Sequence, residues 1–260
     1  MKLLLSQCRA LVRLSLLELW RRNDIFGLLI LALVLLVPLS SAKPFGASGA
    51  VRYMDEAALL LVWGYSLFIA VGTGARAFPP EFESRTIYPL LAKPVPRGVL
   101  LVGKFLGACV ATASALAFFY LLFAVSCGLR GTGWFPPDLL EAFLLHLAFS
   151  AVAVAVALLG SLLMTPSCNL TLSALLLGGM FFFGRRLPEY ADTVGGALKG
   201  LVLALYAVAP HAEFFDMRQR VVHGWGGVEP VVVLAVLAYA AFYVAALLAC
   251  ARVVLERKKL

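Results

Sequence analysis

Long apolar runs separated by short charged segments are the feature of this sequence that most limits its possible folds. Apolar side chains make up 62% of the 260 residues and charged side chains 14%, whereas soluble domains average about 45–50% and about 25%. The mean hydropathy is +0.95. Such a chain cannot hide its apolar residues in one soluble core, so the sequence predicts an all-α polytopic membrane protein.

Six of the apolar runs are long enough, or nearly long enough, to cross a bilayer, which takes about 20 residues. The shortest of these runs from Ile25 to Ala42, near the minimum length for a crossing. We therefore expect a single transmembrane domain over residues 25–260 with six transmembrane helices. The predicted spans are about 25–42, 57–77, 99–126, 138–164, 169–184 and 228–251.

Small residues within these spans indicate close packing between helices. The second predicted span contains Gly64, Gly72 and Gly74, and the third carries a stripe of small residues at every fourth position, from Gly103 to Ala115. Because small side chains let two helix backbones approach each other, both patterns favour a tightly packed bundle. In the fifth span, Asn169 is the expected N-cap.

Residues 1–24 differ from the spans in that leucines alternate with basic residues. Lys2, Ser6, Arg9 and Arg13 recur on one helical face, and apolar side chains cover the other. This pattern is typical of an interfacial helix that lies among the lipid headgroups. A signal peptide is the alternative, but two arginines interrupt its apolar region and no small-residue cleavage site follows.

The distribution of basic residues predicts the orientation of the chain. Basic side chains collect before the first span, between the second and third spans, and after the last span, whereas the short loops on the other side hold only Lys43, Arg52 and Arg130. Since cytosolic loops are enriched in Lys and Arg, both termini and residues 78–98 are expected to face the cytosol. Six spans satisfy this arrangement, whereas seven would place the basic C-terminus outside.

Residues 185–227 do not fit a simple span. The apolar run from Ala197 to Ala209 is too short for a full crossing, contains Lys199 and is broken by Pro210. We therefore expect short re-entrant or interfacial helices on the outward side before the last span. His211 and His223 lie here and are expected to be solvated loop histidines.

Residues 78–98 are expected to form a short amphipathic helix on the membrane surface, followed by a proline-rich end. Pro79 and Pro80 can open a helix, because its first turn has no backbone donor to lose. Glu81 and Glu83 then fall where the helix dipole favours negative charge. Ile87, Leu90 and Leu91 share one face, and Pro89, Pro94 and Pro96 end the helix.

The same region carries a family resemblance. It contains, in order, an acidic residue, a Thr-hydrophobic pair, two leucines, Lys-Pro-Val, an Arg and Gly-Lys. This order resembles the cytosolic coupling-helix region of the ATP-binding-cassette (ABC) type-2 permeases, although in many members a glycine stands where this chain has Arg85. The residues that carry it are Glu83, Thr86, Ile87, Leu90, Leu91, Lys93, Pro94, Val95, Arg97, Gly103 and Lys104.

The resemblance implies the membrane subunit of an ABC exporter in the plasma (inner) membrane. Such a subunit pairs with a second permease chain, most simply an identical one, and binds two cytosolic ATPase subunits that carry the ATP and Mg²⁺. The N-terminal interfacial helix would brace the surface to which the ATPase binds. The ATPase-coupling residues implied are Glu81, Phe82, Glu83, Arg85, Thr86, Ile87, Tyr88, Leu90, Leu91, Lys93, Pro94 and Arg97.

No motif in the sequence indicates an enzyme. The chain lacks a phosphate-binding GxxxxGK[ST] sequence, HExxH and GxSxG, and its five cysteines are scattered singly. We therefore predict no catalytic residues, no metal and no cofactor in this chain. The net charge of +8 comes from basic residues at the ends of spans, so we expect the lipid bilayer and no nucleic acid as a partner.

His146, in the fourth predicted span, is a possible pathway residue, because ionisable groups inside a bilayer are costly. The alternative is a neutral histidine bonded to a neighbouring helix. A secondary transporter driven by an ion gradient is a second candidate function, but that class usually needs intramembrane carboxylates, and Glu141 lies near a span end. A membrane enzyme or a scaffold without transport is a third. No group of side chains in the spans specifies a substrate.

Overall fold

The computed structural model describes residues 48–83, 96–129 and 137–258, together with four isolated positions among the first 30 residues. Within these ranges the regular elements are helices, and no strand occurs. The α-helices are α1 Ser48–Ala75, α2 Pro79–Glu83, α3 Arg97–Leu129, α4 Pro137–Leu163, α5 Pro166–Phe183, α6 Leu187–Thr193, α7 Ala197–Val208, α8 Arg218–His223 and α9 Pro230–Arg257. The 3₁₀ turn Gly184–Arg186 joins α5 to α6, and a second 3₁₀ turn, Ala212–Phe215, lies between α7 and α8.

Six helical stretches of the described chain are long and apolar enough to cross a membrane, which confirms the predicted all-α polytopic fold with six transmembrane helices. They are Arg52–Ala75, Arg97–Gly128, Asp138–Leu163, Pro166–Thr193, Ala197–His223 and Pro230–Arg257. Five of them overlap the predicted spans from the second to the sixth. The predicted interfacial helix (1–24) and first span (25–42) lie outside the described residues except for the four isolated positions, and stay predictions.

The stretch 197–223 was not predicted to be a span, and it is not one continuous helix. It consists of α7, a 3₁₀ turn and α8, with a break at Ala209-Pro210. The 12 residues of α7 rise about 18 Å at 1.5 Å per residue, whereas the hydrocarbon core is about 30 Å thick. α7 alone is therefore too short to cross the membrane, and the break that the sequence indicated is present. That this region is re-entrant stays a prediction.

Two helices begin earlier than the sequence pattern indicated. α1 begins at Ser48 rather than near residue 57, so its first turns consist of the more polar residues that precede the apolar run. α5 begins at Pro166 with Thr165 at its N-cap, so the expectation that Asn169 caps this helix is wrong. Proline at the first helical position has the backbone angle that a helix needs and no N–H to leave unpaired, which favours this earlier start.

α4 lies at the centre of the bundle and packs against α1, α3, α5 and α9. Its middle is lined by alanines that are fully buried, including Ala153 and Ala157. α1 approaches this face so closely that a Cβ atom added to Gly74 would lie 2.8 Å from the Cβ of Ala157. The small residues of the two helices therefore allow a contact that larger side chains would prevent.

The connection from α4 to α5 is held by a buried amide rather than by a helix cap. The Asn169 side chain donates from Nδ2 to the carbonyl of Ala157 at 2.7 Å, and its Oδ1 accepts a hydrogen bond from Ser173 at 3.0 Å. Gly160 lies directly against this amide, and a Cβ at that position would collide with Oδ1. This buried amide fixes the hairpin because its nitrogen and its oxygen each have a hydrogen-bond partner within the protein.

Candidate functional site

The helix α2 begins at Pro79, as the sequence predicted, and is anchored by aromatic side chains on either side of its start. Phe78 is fully buried, and the ring of Phe82 lies 6.1 Å from it, centroid to centroid. The ring of Phe82 also lies under the ammonium of Lys258, 4.5 Å from Nζ. Phe82, which we expected to contact an ATPase, thus makes contacts within its own chain and is only partly exposed.

Lys104 connects α3 to the turn between α1 and α2. Its side chain is buried, although it lies in an apolar helix, and its Nζ donates to the carbonyl of Ala77 at 2.5 Å. The ammonium also lies 5.4 Å from the ring of Phe78. A cation just beyond the C-terminus of α1 is favoured by the helix dipole. In the sequence, Lys104 stood out only as part of the Gly-Lys pair, although an ionisable residue in an apolar run is itself a signal for such a role.

Arg97, the first residue of α3, is bonded to the end of the last helix. Its Nη1 donates to the carbonyl of Leu255 at 2.9 Å and to that of Glu256 at 3.1 Å, with Lys258 O at 3.5 Å. The last carbonyls of a helix have no partner within the helix, so the guanidinium serves as their cap. Arg97 was predicted as an ATPase-coupling residue, and the structure directs its guanidinium towards α9.

These contacts form one continuous cluster at the end of the bundle that carries α2. We call it the α2 cluster, and it comprises Phe78, Phe82, Arg97, Lys104 and Lys258. Glu81 and Glu83 lie in α2, but the description of the structure does not extend to their side chains. The other predicted coupling residues lie outside the described residues, and their roles stay predictions: Arg85, Thr86, Ile87, Tyr88, Leu90, Leu91, Lys93 and Pro94.

His146 lies in α4 and is completely buried. Its Nε2 is 2.6 Å from the hydroxyl of Ser66 in α1, and its Nδ1 is 3.3 Å from the hydroxyl of Tyr120 in α3. Its ring stacks on Trp63 at 4.2 Å, with 13° between the two planes. The imidazole therefore joins three helices in the core.

The hydrogen bonds around His146 can all be made by a neutral imidazole. The Ser66 hydroxyl donates to the carbonyl of Trp63 at 2.9 Å, which leaves its oxygen to accept from Nε2–H. In that tautomer Nδ1 accepts from the hydroxyl of Tyr120. These partners favour the structural alternative, and the pathway role of His146 stays a prediction.

A cavity of about 350 Å³ lies beside this network, between α1 and α5, and is almost wholly apolar. It is lined by Trp63, Gly64 and Phe68 of α1 and by Gly178 and Phe182 of α5, among others. Trp63 both lines the cavity and stacks on His146. The histidine itself is not among the lining residues.

In the part of the bundle away from the α2 cluster, which we call the far end, the structure corrects an expectation about a histidine. We expected His211 to be a solvated loop residue, but its side chain is only 14% exposed. It packs against Tyr206 at 4.4 Å and Phe214 at 5.1 Å, centroid to centroid. Tyr239 of α9, 28 residues further along the chain, also lies near its ring at 6.3 Å, and the local sequence could not reveal this contact. His223 is exposed, as expected, but it is the last residue of α8 rather than a loop residue.

Residues 208–211, which we call the 208–211 turn, are tied to α9 by two tyrosines. The amide of His211 donates to the hydroxyl of Tyr239 at 3.0 Å. The hydroxyl of Tyr243 is 3.3 Å from the carbonyl oxygens of both Val208 and Ala209. The break between α7 and α8, which leaves backbone groups without helical partners, is thus satisfied by the last helix.

The structure defines the chain as a polytopic helical membrane protein whose buried polar groups join its helices. Among the described residues, no three His, Cys, Asp or Glu side chains come together as a metal site would require. The model of the family described as "ABC-2 family transporter protein" matches residues 59–260, which is most of the chain. The chain therefore belongs to the ABC-2 transporter family and is a membrane component of an ABC transporter. The search of curated proteins found no match.

Proposed function

We propose that this chain is the permease subunit of an ABC exporter and that separate cytosolic ATPase subunits drive its transport. The observation that carries the proposal is the family match over residues 59–260 in a chain that has no phosphate-binding GxxxxGK[ST] sequence. A member without that sequence depends on another polypeptide for ATP binding in the P-loop manner. ATP and Mg²⁺ would accordingly be bound by the ATPase and not by this chain.

The segment 78–98 is the proposed docking element for the ATPase. Its start is held by Phe78 and Lys104, so the first turn of α2 is ordered before any partner binds. Ordering in advance reduces the entropy that binding costs. The side chains from Glu81 to Leu91 would then present charge and apolar surface to a groove on the ATPase.

The orientation that this proposal requires agrees with the charge pattern. Arg76, Arg97 and the basic residues after Ala251 lie at the α2 end of the bundle, which we assign to the cytosol of an inner-membrane protein. The far end, with α6, α7 and α8, would face outward. Two copies of the chain, each with one ATPase subunit, would form the complete exporter.

Secondary transport driven by an ion gradient has less support. That class depends on carboxylates within the membrane. Glu141 lies near the beginning of α4, and its carboxylate accepts a hydrogen bond from the backbone N–H of Val228 at 2.9 Å. This contact gives the carboxylate a structural role. The proposal for ATP-driven transport is therefore preferred.

The test is capture of the ATPase from native membranes with the tagged full-length chain. Wild type is compared with the double substitution Glu83→Arg plus Ile87→Asp, and with Glu189→Arg, a matched charge reversal at an exposed position of the far end. We expect mass spectrometry to identify a cassette ATPase with wild type and with Glu189→Arg, and its loss with the double variant. If correctly folded wild-type protein captures no such ATPase, the proposal is wrong.

A further inference from the structure

The last helix, α9, is long, continuous and weakly embedded in its own chain. Its 28 residues rise about 42 Å at 1.5 Å per residue, more than the thickness of the hydrocarbon core of about 30 Å. In its most apolar stretch only 6% of residues are buried, against 61% for α4. Its polar contacts therefore add to its packing against α4 and α3 in fixing its position.

One end of α9 is fixed to the α2 cluster. Arg97 holds the carbonyls of Leu255 and Glu256, and Leu255 itself is almost completely buried. Beyond the end of the helix, Lys258 lies over the ring of Phe82. The start of α3 and the single turn of α2 are thus both attached to the same helix end.

The other attachment of α9 is to the 208–211 turn. Tyr239 accepts the hydrogen bond from the amide of His211, and Tyr243 lies within hydrogen-bond distance of two carbonyls that the break in the chain leaves open. Between Tyr239 and Leu255 the helix rises about 24 Å. This interval contains neither Pro nor Gly, which are frequent sites of sharp helix kinks.

We infer that α9 is the rod that carries movement of the ATPase-docking segment to the 208–211 turn. Arg97 is a positioning residue in this device, since it acts by joining the docking segment to α9. The part of α9 between the two attachments has no hinge, so it transmits a displacement from one attachment to the other instead of absorbing it. The inference rests on the proposed function, because the ATPase supplies the movement.

The test is hydrogen–deuterium exchange of the purified complex of the full-length chain with its ATPase, with and without ATP, Mg²⁺ and orthovanadate. Two peptides are compared: one covering residues 84–98 and one covering residues 208–216. In wild type we expect the addition of nucleotide to change the rate of deuterium exchange in both peptides. With Arg97→Ala we expect the nucleotide response of 208–216 to fall at least twofold, in complexes of equal ATPase content.

Three further variants separate the proposed role from a general loss of structure. Tyr243→Phe keeps the ring but removes the hydroxyl at the far end, and should reduce the response of 208–216 while that of 84–98 persists. Arg97→Lys keeps a cationic donor for the helix carbonyls and should restore the response. Arg257→Ala removes an exposed charge at the same helix end, from a residue that has no hydrogen bond or ion pair within the described part of the chain, and should behave as wild type.

The outcomes distinguish the two proposals. If wild type binds no ATPase, or neither peptide responds to nucleotide, the proposed function fails, and the inference fails with it. If 84–98 responds in wild type but 208–216 does not, α9 is not the rod. The inference also fails alone if Arg97→Ala leaves the response of 208–216 intact, or if Arg257→Ala abolishes it equally.

Discussion

His146 provides the sharpest test of how this bundle is held together. Replacing it with alanine removes hydrogen bonds to Ser66 and Tyr120 on two other helices, and a stacking contact with Trp63. Hydrogen bonds between membrane helices average about 0.6 kcal/mol and reach about 1.7 kcal/mol, so the pair contributes between about 1 and about 3 kcal/mol. Aromatic stacking adds about 0.5–1.5 kcal/mol. We therefore expect His146→Ala to destabilise the chain by about 1.5–4.5 kcal/mol, before any cost of the cavity that it leaves.

The assay is a double-mutant cycle of His146→Ala with Ser66→Ala, measured as reversible unfolding of the purified chain in mixed micelles. Because the two side chains are 2.6 Å apart, the cycle should give a coupling energy of about 0.6–1.7 kcal/mol. His146→Phe keeps a ring against Trp63 and should recover the stacking but not the coupling. A coupling energy near zero, or a stable His146→Ala variant that still binds its ATPase but has lost transport, would refute the structural role and favour a pathway role.

Two further substitutions test contacts at the α2 side of the bundle. We expect Gly74→Ala to destabilise the chain by about 1–3 kcal/mol, because the added methyl would lie 2.8 Å from the Cβ of Ala157. Gly72→Ala, where a Cβ would meet nothing within 4 Å, is its control, and equal melting temperatures for the two variants would contradict the packing argument. We expect Lys104→Met to reduce capture of the ATPase several-fold, since α2 loses the ammonium that holds the carbonyl of Ala77. Unchanged capture from a folded Lys104→Met protein would show that this contact does not prepare the docking element.

Features with a local physical cause could be read from the sequence. The membrane-crossing helices follow from runs of apolar residues, and the start of α2 at Pro79 follows from the fixed backbone angle of proline. The stripe from Gly103 to Ala115 was expected to pack, and its members are buried. The family, too, was recognised from residues that are close together in the chain, and the match over residues 59–260 confirms it.

Features that depend on residues distant in the chain required the tertiary structure. Of the three glycines in the second predicted span, Gly74 meets another helix closely, whereas a Cβ on Gly64 or Gly72 would meet nothing within 4 Å. His211 resembles a loop residue until Tyr239, 28 residues further along the chain, is brought against it. The bond from Arg97 to Leu255 joins positions 158 residues apart.

Hydropathy and backbone preference act on each residue and its near neighbours, so the sequence by itself determined that the chain is helical and crosses a membrane. They also determined where α2 begins. Which helix faces which is decided by the packing of all the spans together. Only the tertiary structure could therefore reveal that His146 links three helices and that α2 and the start of α3 are attached to α9.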